Sequence, residues 1–225
     1  MTDAAYILDV SSAQAPGRAP GRASLQDDLD WAWAASQGVI GALVECSIGN
    51  DGVNLDLAGQ LADASSAGLL VGIYNFVYPL PADGAHANRS ADDQARLHWS
   101  QAPKLTGRRL RTFFDAEWPY PQDWKRWGCS SWQIDDWLDL YAETYEGLSG
   151  DTLGLYSYPD WMHAAGLNGT RPLWLASVPQ PANGAILWQQ TGHEWMIPTR
   201  SGRSAVRTDV SLVLSGGMDA IVVGP

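Results

Sequence analysis

At 225 residues, with 14 Lys and Arg against 25 Asp and Glu, the chain has a formal net charge of −11; this excludes nucleic acid and anionic membrane surfaces as partners, because Lys and Arg dominate phosphate binding. The length allows one large core, charged residues are 17%, and 12 Trp with 8 Tyr require a large interior or an aromatic cleft. Cys46 and Cys129 are too few for a disulfide scaffold and form no C-x-x-C pattern, although a single bridge stays open, and no apolar run reaches the ~18 residues that would insert across a membrane.

The first strand-like run, 6–10, leads into Asp9-Val10-Ser11-Ser12 where a dinucleotide fold would carry G-x-G-x-x-G. Residues 39–44 read as a second strand, and 56–67 as a helix with Leu57, Leu61 and Ala64 on one face and a stop at Gly68. A third strand, 70–76, brings Tyr74 and Phe76. Arg108-Arg109-Leu110-Arg111 reads as a solvated loop ahead of a fourth strand, 111–114. Residues 134–145 place Ile134, Trp137, Leu138, Tyr141 and Tyr145 on one helical face, with Gly147 as the stop, and 153–156 is a fifth strand. Beyond Ser157 the strand-like runs 173–176, 186–189 and 209–214 have too little helix pattern between them for full crossovers. Strands alternating with amphipathic helices imply an α/β fold with a parallel sheet. Eight strands in one chain of this size imply a TIM-like barrel whose last third lacks most of its helices, with an open doubly wound sheet as the alternative.

In such a barrel, functional groups gather at the C-terminal ends of the strands. Those ends carry Asp9, Tyr74, Phe76, Asp115, Glu117, Tyr156, Trp174, Trp188-Gln189 and Asp209. Each has an ordinary structural reading: Asp9 as a turn cap, Trp174 and Trp188 as core, Asp209 as a loop carboxylate. Together they suit a neutral, hydroxyl-rich ligand, since aromatic faces lie against sugar rings while carboxylates and amides bond their hydroxyls. Phe113-Phe114-Asp115-Ala116-Glu117 is the most informative segment. Residues two apart on a strand share a face, so two carboxylates meet, one is pushed to hold a proton near neutrality, and its neighbour stays ionised. Glycoside hydrolysis needs that division of labour. His86, His98, His163 and His193 show no metal-ligand spacing, and no G-x-S-x-G elbow is present.

The ordered set Asp9-Val10-Ser11 with Gln14, Gly72-Ile73-Tyr74-Asn75-Phe76, Asp115-Ala116-Glu117, Tyr156-Ser157, Leu173-Trp174-Leu175-Ala176, Trp188-Gln189 and Asp209-Val210-Ser211 resembles the family 25 glycoside hydrolases, the lysozyme-like muramidases of bacteria and their phages. The resemblance implies a barrel of five β/α units closed by three further strands, spanning 1–225 as one catalytic domain without a separate wall-binding domain. It implies bacterial peptidoglycan as substrate and the β-1,4 bond from N-acetylmuramic acid to N-acetylglucosamine as the one cleaved, with no metal or organic cofactor. Glu117 would be the general acid and then the base for water. Asp115 would stay ionised and orient the muramic acetamido group or stabilise its positive charge. Asp9 and Asp209 would support them, with Tyr74, Phe76, Tyr156, Trp174 and Gln189 binding substrate. Two positions depart from the family pattern: Glu45-Cys46-Ser47-Ile48-Gly49 stands where a Lys and then Glu-Gly are common, and Ser211 replaces an Asn. Met1-Thr2-Asp3-Ala4-Ala5 does not open a Sec-type signal, so the resemblance is to a bacteriophage endolysin, a monomer held in the host cytoplasm until released to the wall at lysis, or exported by another route. A non-catalytic glycan-binding barrel of a phage structural protein and a chitin-type glycosidase are the competing expectations.

Overall fold

The computed structural model describes residues 4–11, 29–50, 52–79, 90–102, 105, 107–128, 130–167, 171–177, 184–202, 205–214 and 216–224. Gln14, His86 and Cys129 lie outside them. In chain order the elements are β1 (Tyr6–Val10), α1 (Trp31–Ser36), β2 (Val39–Ile48), β3 (Gly52–Val53), α2 (Leu57–Ser66), β4 (Leu70–Phe76), α3 (Ala91–Gln101), β5 (Arg109–Leu110) and β6 (Phe113–Asp115). A 3-10 turn (Pro121–Trp127) follows, then α4 (Ser131–Ser149), β7 (Gly154–Ser157), α5 (Pro159–Ala165), β8 (Leu173–Ser177), β9 (Ala185–Pro198), β10 (Ala205–Val213), α6 (Gly217–Ile221) and β11 (Val222–Val223).

The main sheet runs β1-β10-β9-β8-β7-β6-β4-β2, and β1 also pairs with β2, so eight strands close into a barrel and the open-sheet alternative falls away. Within the barrel, strand pairs are parallel except where β10 meets β9 and β1; the short β3 on β2 and β11 on β5 are antiparallel additions. Helices α1 to α5 each follow one of the first five barrel strands, and β8, β9 and β10 close the ring with no helix between them among the described residues. The resemblance implied that five-plus-three order.

Side-chain alternation sorts the strands into an inside and an outside. Ile7, Leu43, Phe113, Tyr156, Trp174 and Leu187 fill the barrel interior, while Leu8, Val10, Ala42, Val44 and Ile73 pack outward beneath α1 and α2. Bulky plug residues need small neighbours: a Cβ on Gly154 would lie 2.3 Å from Phe113 Cε1, and one on Gly72 would lie 2.9 Å from Leu43 Cδ2. The outer face of β1 is covered by the far end of the β9–β10 hairpin, where Ile197, Val206 and Val210 join Leu8, Val10 and Trp31, and Trp195 packs 5.0 Å from Tyr6.

Three sequence expectations are corrected. The arginine run is not a solvated loop: Arg109–Leu110 pairs with β11, and Arg111 donates from Nε to Ala220 O and from Nη1 to Thr152 O, both at 2.7 Å. Those carbonyls come from distant parts of the chain, so nothing local announces them. The stop of α4 is Gly150 at φ +74°, whose N–H bonds Glu146 O at 2.8 Å, whereas Gly147 lies inside the helix. The last barrel strand begins at Ala205, not Asp209, because the alternate positions Arg207, Asp209 and Ser211 are polar, the first exposed and the others turned to the barrel mouth, and they hide the strand from an apolar-run criterion.

Candidate active site

One layer above the apolar plug, at the C-terminal mouth of the barrel, the inward positions turn acidic. Ile7 is followed two residues on by Asp9, Leu43 by Glu45, and Phe113 by Asp115. The antiparallel strand β10 enters the mouth from the other direction, and its Asp209 is the cross-strand partner of Asp9. The chain past β6 keeps its extended course, with Ala116 N–H bonded to Tyr156 O at 3.0 Å and Ser157 Oγ donating to Ala116 O at 2.6 Å. That course carries Glu117 onto the same side as Asp115. Pro119 O accepts the indole N–H groups of Trp124 at 2.8 Å and Trp161 at 3.0 Å, which pins the segment after Glu117.

Burial dominates the electrostatics. Asp115 is 7% exposed, and burial, then the charges of Glu117, Asp9 and Glu45, hold its carboxyl well above the usual carboxylate range. Asp9 is raised by burial, against the pull of a hydrogen bond donated by Tyr74, with Asp209, Glu45 and Glu117 adding to the rise. Glu117 is half-buried and also raised by burial; the Tyr158 hydroxyl bonds it and opposes the shift, while Asp209 adds to it. Asp115 Oδ1, Asp9 Oδ1 and Glu117 Oε2 meet no protein hydrogen-bond partner. The expected contrast, with one carboxyl raised and its neighbour ordinary, is therefore not what burial alone produces: both members of the pair are raised.

The remaining predicted residues divide into floor and wall. Trp174 is 1% exposed, its ring 4.6 Å from Tyr156, 5.9 Å from Tyr74 and 5.6 Å from Phe113, and its Nε1 donates to Ser211 Oγ at 2.8 Å. It forms the floor with Tyr74 and Tyr156. Phe76 is half-buried and continues through Tyr78, 5.4 Å away, to Trp118, a further 5.1 Å on, as one aromatic wall. Gln189 is buried with its Oε1 unpartnered. A cavity of ≈ 470 Å³ lined by Glu117, Tyr120, Pro121, Gln122, Tyr158, Asp160 and Trp161 opens beside Glu117. Among the described residues, no group of three or more His, Cys, Asp or Glu is arranged to hold a metal ion.

Sequence reasoning assigned no role to Tyr158, Tyr78 or Trp118, and it marked Glu45 only as part of a departure from the family pattern. Tyr158 lay two residues past Tyr156 in the same strand-end motif, a signal available from alternation. Glu45 lay two residues past the predicted inward Leu43, but only the closed barrel puts it beside Asp9.

The sequence model of the glycosyl hydrolases family 25 matches residues 23–196, well over half of the chain. Asp9 and Asp209 fall outside that span and reach the site through barrel closure. The chain is similar in fold to a family 25 glycosyl hydrolase from Bacillus anthracis, at 18% identity and TM-score 0.71 over 95% of this chain and 90% of that one. It is similar also to the bacterial lysozyme from Streptomyces coelicolor, at 19% identity and TM-score 0.69 over 95% and 93%. The family GH25 lysozyme from Aspergillus fumigatus matches at 17% identity and TM-score 0.70 over 96% and 99%. No protein of curated function matches the sequence. With the family model covering most of the barrel and the acidic mouth where such barrels carry their chemistry, the chain belongs to the family 25 glycosyl hydrolases.

Proposed function

We propose that this hydrolase is a muramidase that cleaves the β-1,4 bond between N-acetylmuramic acid and N-acetylglucosamine in bacterial peptidoglycan. The observation that carries the reading is the Asp115–Glu117 pair at the barrel mouth, one carboxyl buried and the other half-buried beside the cavity, both raised and each with an oxygen that meets no protein partner. Family membership and the lysozymes and muramidases among its structural neighbours support the substrate class. Burial favours the protonated form of both carboxyls. An acetamido N–H donated to Asp115 Oδ1 would favour the ionised carboxylate there and leave the proton on Glu117, beside the leaving oxygen. Glu117 then protonates that oxygen as the muramic acetamido carbonyl attacks the anomeric carbon, breaking the glycosidic bond and forming an oxazolinium. Water, deprotonated by Glu117, opens that ring and restores the acetamide. Asp115 and Glu117 sit side by side on one strand course, which suits a helper and an acid better than carboxylates facing each other across a sugar.

An endolysin, CTP1L, is also a structural neighbour, at 15% identity and TM-score 0.63, and this chain covers 68% of it. It supports a role at the bacterial cell wall on release at lysis. Digestion of purified peptidoglycan, with reducing ends identified by mass spectrometry, tests the proposal. Muramic-acid ends are expected, and they should disappear when the muramic N-acetyl groups have been removed beforehand. Glucosamine ends, or equal cleavage of the de-N-acetylated polymer, would overturn the bond assignment or the assisted mechanism respectively.

A further inference from the structure

We propose that Glu45 is a positioning residue of the cleavage reaction, acting on Asp115 and Asp9 through the field of its buried carboxylate rather than on the sugar. The inference rests on the muramidase reading above. Glu45 is 3% exposed, although the layer beneath it is filled by Leu43 and an apolar side chain would cost far less to bury there. Its inward aim is built into the backbone. Glu45 is the register partner of Tyr74 and Ser47 that of Asn75, so Cys46 is an extra residue, a β-bulge in β2. The bulge lets Ser47 turn to the outside, where its Oγ donates to Asn75 Oδ1 at 2.9 Å, while Glu45 stays within the mouth. Asn54 staples this geometry: its Nδ2 donates to Glu45 O at 2.7 Å and to Gln60 Oε1 at 2.8 Å, and its N–H bonds Cys46 O at 3.0 Å.

The groups around Glu45 are Asp9 from β1, Tyr74 from β4, Asp115 from β6 and Cys46 on its own strand, and its charge acts on each of them. Asp115 is faced in addition by Glu117, and the charges of both act on Tyr156 and Tyr158 of the β7 end. Glu117 is raised by burial first, and the neighbours that act on it are Tyr158, which opposes the rise, and Asp209, which adds to it. The mouth thus holds two electrostatic controls: Glu45 weights the inner carboxyl and Asp209 the outer one. Because Asp115 must be ionised and Glu117 protonated for the reaction, the two controls govern opposite limbs of the pH profile.

The test is kcat/KM against pH on purified peptidoglycan for the wild type, Glu45→Gln and Glu45→Asp. Removing the charge lets Asp115 ionise in more acidic solution, so the acid limb of Glu45→Gln is expected about 1 pH unit lower, with the variant up to ~10-fold more active than wild type at the foot of that limb. The alkaline limb should coincide with the wild type, and Glu45→Asp should return the acid limb toward its original place. A uniform loss at every pH, as a merely structural role would give, or superimposable profiles would overturn the proposal. A wild type that releases no muramic-acid ends would instead overturn the functional reading. A measurement on the wild-type protein needs no variant to fold: in a ¹³C NMR titration, the carboxyl carbons of Glu45 and Asp115 are expected to share an inflection, and independent titrations would refute the coupling.

Discussion

Glu117 and Asp115 carry the same functional group, and their surroundings separate them. Glu117 borders the open cavity and bonds Tyr158, whereas Asp115 is enclosed. Glu117→Gln keeps size and hydrogen bonding but has no proton to give, so hydrolysis is expected to fall by ~10²–10⁴-fold with circular dichroism and glycan binding retained. Near-wild-type turnover by the purified variant would remove Glu117 from its role. Asp115 makes the opposite statement about stability. Its folded pKa is raised above the unfolded value, so the stability tied to its protonated form is complete below that unfolded value, ~3.9, and is lost as the pH rises through the folded one. Asp115→Asn should therefore melt at a higher temperature than wild type at pH 7, with the gap closing toward pH 4, while activity is severely reduced. A variant less stable than wild type at pH 7 would contradict this. The pair was visible in the sequence as Asp-x-Glu after an apolar run; that both carboxyls would be raised was not, because burial belongs to the folded barrel.

At the scale of elements, α3 and α4 meet over a buried polar chain. Asn75 Nδ2 donates to the Tyr141 hydroxyl oxygen at 3.0 Å, and that hydroxyl shares a 2.6 Å hydrogen bond with His98 Nδ1. His98 is enclosed with its Nε2 facing no protein partner, and burial pushes its pKa down to about 3, which keeps the ring neutral. A depressed pKa gives stability that is present above the unfolded value near 6.5 and lost as the pH falls from there toward about 3. The raised carboxyls pull the other way, so the informative quantity is a difference between proteins. His98→Gln can still hydrogen-bond Tyr141, and urea unfolding from pH 6.5 to 4.5 should show its stability falling less steeply than wild type by about 1.4 kcal/mol per pH unit. Equal slopes would place His98 in solvent contact. The apolar face of α4 was legible from Ile134, Trp137, Leu138, Tyr141 and Tyr145, all of which are buried. The role of His98 was not, because a lone histidine on a helix acquires its character from the tyrosines of the facing helix.

For the whole molecule, net charge and barrel closure set the remaining behaviour. At −11 the protein is repelled by an anionic wall at long range, so raising salt from near zero should speed peptidoglycan cleavage until screening is complete near ~0.15 M, where the Debye length is about 8 Å. Activity that falls steadily over the same range would contradict the electrostatic account. No helix among the described residues is long and apolar enough to cross a membrane. The sequence by itself determined what depends on local pattern: the alternation of strands and helices, the thinning of helices past Ser157, and the Asp-x-Glu pair. Apolar periodicity and punctuation are properties of a few neighbouring residues, so they survive in one dimension. The tertiary structure decided what depends on closure and register. It put Asp209 in the middle of its strand opposite Asp9, drew Glu45 into the mouth through a one-residue bulge, turned an arginine run into an anchor for α6, and folded the β9–β10 hairpin over β1 where a helix would otherwise lie. Those placements rest on pairings between distant segments, and the shifted acidities follow from the burial that such pairings create.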